Sequence, residues 1–243
     1  MDKLGFLYNF RGLKIKSITM IKIVAVHTAF ALVEPLNQLF CEHLPQVKLN
    51  HIVDDSLIQE VIENNAVTPA VRKRLLSYYQ AAADSGANFV FNCCSSVGDV
   101  AEMGRLITPI PVFRIDYPMA VQAITSAKKI GVIATLPTTL APTMGLLYRL
   151  AEETGKELAI VKGLAKGAFQ AAQSGDRDTH DRLILEAAQS IGDKVDLIVL
   201  AQGSMARMES KLSEITGKPV LSSPLSGVLG LKEYLVDKGL ISI

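Results

Sequence analysis

The chain has 243 residues, 49% hydrophobic and 20% charged, a composition that can bury a core and that excludes general disorder. Lys plus Arg total 25 against 24 acidic residues, and Phe91, Phe113 and Tyr117 sit in apolar surroundings rather than among basic side chains, so no nucleic-acid partner is expected. Even the stretch from Ile107 to Ile115, closed by Asp116, falls short of the ~18 residues of a membrane span, and the odd set Cys41, Cys93 and Cys94 behind no apolar leader points to reduced thiols in the cytoplasm.

Residues 1–20 are basic and mixed and read as an N-terminal extension without assigned function, the alternative being an edge strand from Leu13 to Ile18. From Ile21 onward, short β-branched runs alternate with longer helix-forming stretches, the pattern of parallel strands covered by helices on both faces. The strands are expected at Ile21 to Val26, Lys48 to Val53, Asn88 to Asn92, Pro111 to Ile115, Lys129 to Ala134, Glu157 to Val161, Asp196 to Leu200 and Pro219 to Leu221. Eight strands also suit a closed barrel, although about 220 residues is lean for eight βα units.

Helix limits are legible between the strands. Thr68 before Pro69 caps a helix whose inward stripe is Val71, Leu75, Leu76 and Tyr79, with Gly86 as its stop. On that helix Arg72, Lys73 and Arg74 read as a solvated face. Thr139 is expected to precede a helix that buries Leu146, Leu147, Leu150 and Ala151 and ends near Gly155, and Ser223 with Pro224 opens a last helix running toward Gly239.

A weak repeat supports two halves. IKIVAVHT at 21–28 and KIGVIAT at 129–135 are each a strand ending in a small or polar loop, and each is followed later by a strand ending in a polar turn, NFVFNCCSS around Cys94 and DLIVLAQGS around Gln202. Both turns then fall at the carboxyl ends of parallel strands, where open α/β sheets bind ligands.

The run Asn92-Cys93-Cys94-Ser95-Ser96-Val97-Gly98 passes from an apolar strand into two thiols and two hydroxyls, with a helix expected near Val97. Amide hydrogens at a helix start favour negative charge, which predicts that Cys94 is the activated thiol and that Cys93, on the opposite face of the strand end, packs as a small hydrophobe. Adjacent cysteines lack the spacing of a metal site, so no metal is expected. Cys41-Glu42-His43 reads as a local polar face, and neither GxxxxGK[ST] nor GxGxxG occurs, so no nucleotide cofactor is implied.

Over residues 21 to 243 the chain resembles the aspartate/glutamate/hydantoin racemase superfamily, on NCCSSVG at 92–98, GVIAT at 131–135 with Thr138 and Thr139 following, and LIVLAQGSM at 197–205. The resemblance implies an α/β fold of two pseudo-symmetric Rossmann-like half-domains with parallel sheets around an interdomain cleft, 21–116 plus 222–243 and 117–221. It implies no cofactor and a small carboxylate or amino-acid substrate; a two-domain cleft enzyme could also form a homodimer without an obvious sequence marker. Cys94 takes the reactive place, Ser95 and Ser96 the polar binding positions, and Thr135 with Thr138 or Thr139 the carboxylate loop. Thr28, Gln202, Gly203 and Ser204 are the remaining substrate-binding candidates.

Two positions depart from the family pattern. Gln202 stands where a two-thiol racemase carries its second cysteine, and glutamine cannot exchange a proton as a base at neutral pH. His27 stands where glutamate-type racemases carry an acid, and is a catalytic or orienting candidate. The expected function is cofactor-independent, racemase-like proton transfer beside a carboxylate; a one-thiol decarboxylase or isomerase and a non-catalytic carboxylate-binding protein are the alternatives.

Overall fold

The computed structural model describes residues 20–242; the possible strand from Leu13 to Ile18 lies outside them. β1 (Ile21–His27) has Ile23, Val24, Ala25 and Val26 all buried, because helices cover both faces of the sheet it centres. It pairs in parallel with β2 (Val47–Val53) and β3 (Phe89–Asn92), and β3 pairs with β4 (Val112–Arg114). The second sheet repeats the plan: β5 (Lys129–Ala134) lies between β6 (Ala159–Leu164) and β7 (Leu197–Leu200), with β8 (Val220–Leu221) beyond. The orders are β2-β1-β3-β4 and β6-β5-β7-β8; β4 and β5 do not pair, so the eight strands form two sheets and not a barrel.

The connections are helical: α1 (Val33–His43), α2 (Ser56–Asn64), α3 (Pro69–Asp84), α4 (Gly98–Ile107), α5 (Tyr117–Ser126), α6 (Pro137–Glu153), α7 (Ala168–Gln173), α8 (Arg177–Gly192), α9 (Glu209–Thr216) and α10 (Ser223–Asp237). Thr68 caps α3 by accepting from the Val71 amide at 3.1 Å, and Gly86 just past its end has φ +79°. Three adjustments to the expected elements have physical causes. β6 begins at Ala159 rather than Glu157 because Ala159 is the residue in register with Lys129, and as an edge strand it carries little apolar signal. α6 begins at Pro137, whose fixed φ suits a first turn, and Thr139 lies inside that turn because its hydroxyl is engaged elsewhere. Arg74 is not a free surface cation: it reaches Glu60 at 2.6 Å and Asp54 at 3.3 Å, clamping α3 to α2, while the Arg72 Nε is buried.

Three apolar layers result. Ile23, Phe89, Phe91 and Phe113 of the first sheet, Val132, Leu197 and Val199 of the second, and residues of α1, α5, α6 and α10 form one core shared by the halves. A second layer packs α2, α3 and α4 on the outer face of the first sheet, and a third packs α8 and α9 on the outer face of the second. Consequently the carboxyl ends of β1, β3, β5 and β7 converge where the halves meet.

Candidate active site

A cavity of about 270 Å³ lies at those strand ends and is walled by both halves. The registers make its two sides equivalent: Val26 pairs with Asn92 as Ile133 pairs with Leu200. Two residues beyond each inner strand come Cys94 and Gln202, both extended, with φ −126° ψ 118° and φ −123° ψ 130°, and each opens a 3-10 turn, Ser95–Val97 and Gly203–Met208. Thr28 and Thr135, likewise equivalent, each bond the residue opposite. The Thr28 hydroxyl reaches the Cys94 sulfur. Gln202 Oε1 accepts the Thr135 amide at 2.7 Å and its Nε2 donates to the Thr135 hydroxyl at 2.7 Å, so the side chain at the second-cysteine position is fixed at both ends.

Cys94 keeps some surface open to the cavity, and the Ser96 and Val97 amides and the Thr28 and Ser96 hydroxyls all favour its thiolate. Yet enclosure by protein outweighs them and raises its pKa above the ordinary thiol value. The expected helix-start effect is therefore present but smaller than the desolvation it opposes, and the resting group is a thiol. Cys93 packs into the shared core, donates to the Phe91 carbonyl at 3.3 Å and is pushed well up by burial. Both cysteines border the cavity, so strand alternation separates their packing partners without removing Cys93 from the wall.

Ser95 and Ser96 are buried beside Cys94 and held from opposite directions. Ser96 shares a 2.7 Å hydrogen bond with Thr139 of α6, which crosses between the halves. Ser95 bonds Asp116, whose carboxylate takes a two-pronged bond from Arg114 at 3.0 and 2.9 Å. Both members of this pair are almost fully buried, which disfavours either charge, yet each holds the other charged: Asp116 raises the pKa of Arg114, and Arg114 lowers that of Asp116. A Cβ at Gly98 would stand 2.2 Å from the Arg114 guanidinium, so the loop carrying Cys94 can lie on that cation only with glycine there. Sequence reasoning missed Arg114 and Asp116, although an arginine inside the short apolar run VFRI was a visible signal of a buried pair.

His27 is buried and borders the cavity. Its Nε2 lies 2.9 Å from His51 Nδ1, and His51 Nε2 lies 2.9 Å from Asn37 Oδ1. The Asn37 oxygen can only accept, so His51 donates to it from Nε2 and accepts at Nδ1, and His27 donates from Nε2. That assignment leaves the His27 Nδ1 lone pair buried and unpartnered. Burial, with His51 second, lowers the His27 pKa to about 4, so the ring stays neutral.

Thr28, Ser95, Ser96, Thr135, Thr139, Gln202, Gly203 and Ser204 all border the cavity. Thr138 does not; its hydroxyl is buried without a partner in the first turn of α6. Residues not foreseen from sequence come from α7 and α8: Phe169, Ala172, Gln173 and His180. The His180 Nδ1 is 2.8 Å from Asp181 and 3.2 Å from Arg207, and Arg207 Nη1 also donates to Asp181 at 2.6 Å. Lone residues on amphipathic helices carry no local motif, which is why this wall was silent in the sequence. Among the described residues no group of three or more His, Cys, Asp or Glu is arranged to hold a metal ion.

The sequence matches the Asp/Glu/Hydantoin racemase family over residues 21–229, which contains every strand and both loop cysteines. The chain belongs to that family. No curated protein matches it in sequence. Its fold is similar to that of allantoin racemase from Klebsiella pneumoniae, with 18% identity, 92% of this chain and 91% of that one covered, and a TM-score of 0.65. It is also similar to glutamate racemase from Francisella tularensis in complex with D-glutamate, with 12% identity, 93% and 84% covered, and a TM-score of 0.74. For the aspartate racemase of Picrophilus torridus the values are 11%, 88% and 94%, and 0.66. This member of the Asp/Glu/Hydantoin racemase family thus keeps the two-sheet frame while carrying a thiol on one side of the cleft and an amide on the other.

Proposed function

We propose that the protein is a cofactor-independent, racemase-like enzyme that moves a proton at the carbon alpha to the carboxylate or amide carbonyl of a small acid, with Cys94 as an acid/base. The observation that carries this reading is the setting of Cys94: at a strand end, bordering the cavity between the halves, with two hydroxyls and two backbone amides favouring its thiolate. Those donors stabilise the thiolate that forms when Cys94 gives up its proton. Ser96 and Thr139, bonded to one another at the same wall, and the Thr135 hydroxyl are the groups placed to bind substrate oxygen and to stabilise the enolate charge that develops there. His27 is neutral and, bonded to His51 through Nε2, serves to orient the wall rather than as an acid.

Substrate identity follows from relatives only in outline. The similar proteins named above act, by their names, on allantoin, glutamate and aspartate, and those compounds define the first panel. The fixed Gln202 favours one further reading: a decarboxylation that uses the single thiol to protonate the carbanion left by CO₂ loss. The free state of Cys41, Cys93 and Cys94 fits a reducing cytoplasm. We read 21–116 with 222–243 as one half and 117–221 as the other, a division supported by the two separate sheets and by α10 packing in the shared core.

The test is solvent exchange. In deuterated water the wild type is expected to label the alpha position of at least one panel compound, and Cys94→Ser to lose exchange at the substrate face that Cys94 serves by about a hundredfold or more while keeping its fold. CO₂ release from a malonate-type acid, without exchange of the panel, would select the decarboxylase. Tight binding with neither outcome would identify a non-catalytic carboxylate-binding protein.

A further inference from the structure

Inverting a carbon centre without a cofactor requires proton-transfer groups on two faces, and the family frame presents one from each half. In the second half the position equivalent to Cys94 is Gln202, whose amide is occupied by Thr135 and has no titratable proton. The other second-half residues bordering the cavity are threonines, apolar side chains, Gln173, Gly203 and Ser204, with one exception. That exception is His180, on α8, a single buried imidazole.

Its surroundings are those of a working acid/base and not of a packed ring. Both hydrogen-bond partners of His180, Asp181 and Arg207, lie at Nδ1. Nε2 has no partner among the described residues and is not one of the sealed polar atoms, and His180 borders the cavity. Asp181 is held ionised by Arg207, which lies in the turn that begins just after Gln202. This turn therefore fixes both the amide wall and the histidine support. Nδ1 can donate to Asp181, leaving a lone pair at Nε2, or accept from Arg207, leaving an N–H there; either state has a partner waiting.

We propose that His180 is the second catalytic residue, taking the place of the missing cysteine and working through Nε2 on the face of the substrate opposite Cys94. This rests on the proton-transfer reading above. In one direction neutral Nε2 removes the alpha proton, the C–H electron pair enters the adjacent carbonyl as an enolate, and the Cys94 thiol then donates its proton to the other face as the enolate collapses. The product state holds imidazolium and thiolate, which either run the reverse reaction on the opposite enantiomer or return to the resting pair by passing a proton through solvent. No other reactant is consumed.

The two-face assignment gives a test in which each variant controls for the other. Separate enantiomers of glutamate, aspartate and allantoin are incubated in deuterated water with the wild type, His180→Gln and Cys94→Ser, and alpha-deuteration and optical rotation are followed together. For a compound the wild type racemises, His180→Gln should lose inversion by about a hundredfold or more and lose exchange of one enantiomer, while still deuterating the other with retention. Cys94→Ser should show the mirror-image pattern, and each retained half-reaction proves that the variant is folded. Equal exchange of both enantiomers by His180→Gln, or loss of both in a variant with an unchanged circular dichroism spectrum and melting temperature, would overturn the role of His180 while leaving Cys94 in place. Wild-type exchange of one enantiomer alone, without inversion, would do the same. No wild-type exchange on any of the six compounds would remove the proton-transfer reading and His180 with it.

Discussion

At the residue scale, burial decides the protonation states that local sequence could not. Cys94 has the donors expected beside a helix start, yet its enclosure keeps the thiol protonated. His27 shows the same physics with the opposite sign. Its folded pKa is depressed from 6.5 to about 4, so the folded chain binds fewer protons than the unfolded one between those values. The stability from this group is therefore complete above pH ~6.5 and is lost as pH falls toward 4, by roughly 3 kcal/mol in all. Urea midpoints measured from pH 7 to pH 4 should fall along this window in the wild type and fall less steeply in His27→Asn. Equal slopes would show that the ring is not held neutral.

At the scale of elements, the positions most exposed to substitution are those where a loop lies against a charge. Gly98 opens α4 with its Cα against the Arg114 guanidinium, and any Cβ there must displace a cation that is paired with Asp116 and Glu102. Gly98→Ala is expected to lower stability by about 3 kcal/mol or more through the broken buried pair, and also to weaken exchange by moving the loop that carries Cys94. A thermal melt with a parallel exchange assay measures both, and an unchanged melt would mean the guanidinium relocates freely. The sequence made the central strands legible because two-sided burial writes an unbroken β-branched run, as in IKIVAV and LIVL. It placed β6 two residues early because an edge strand is half exposed, and it put Thr139 outside α6 because a threonine before a helix resembles a cap when its true partner, Ser96, is 43 residues away. The thiol and hydroxyl loop was readable as a motif; His180 and the pair of Arg114 with Asp116 were not, since each acquires meaning only from residues brought close by folding.

At the scale of the molecule, the halves are joined through one apolar core and a few polar contacts, among them Ser96 with Thr139 and Arg149 with Glu102. Asp116 lies at the passage from one half to the other, between β4 and α5. Replacing it by asparagine leaves Arg114 buried beside a neutral group, and a loss of about 3–5 kcal/mol is expected. The wild-type contribution has the carboxylate sign: Asp116 is depressed on folding, so the stabilisation is present above the ordinary carboxylate range and disappears as pH falls through the lowered folded value. Chemical denaturation at pH 7 and in acid should therefore show the two proteins far apart at pH 7 and converging at low pH; a constant difference would place the effect in packing instead.

The equivalence of Thr28 with Thr135 and of Cys94 with Gln202 also bears on ancestry. Matching strand order, register and threonine-to-loop bonds are what duplication and fusion of a single ancestral half would leave behind. Once fused, the copies need no longer carry the same burden. One loop carries the Cys94 thiol, while its twin carries Gln202 tied at both ends to Thr135, and a helix histidine with no counterpart in the repeat is open to recruitment. Divergence within such a pair proceeds by reassigning duties between twins, so the stereochemical course of the reaction can be rewritten without disturbing the frame that both copies share.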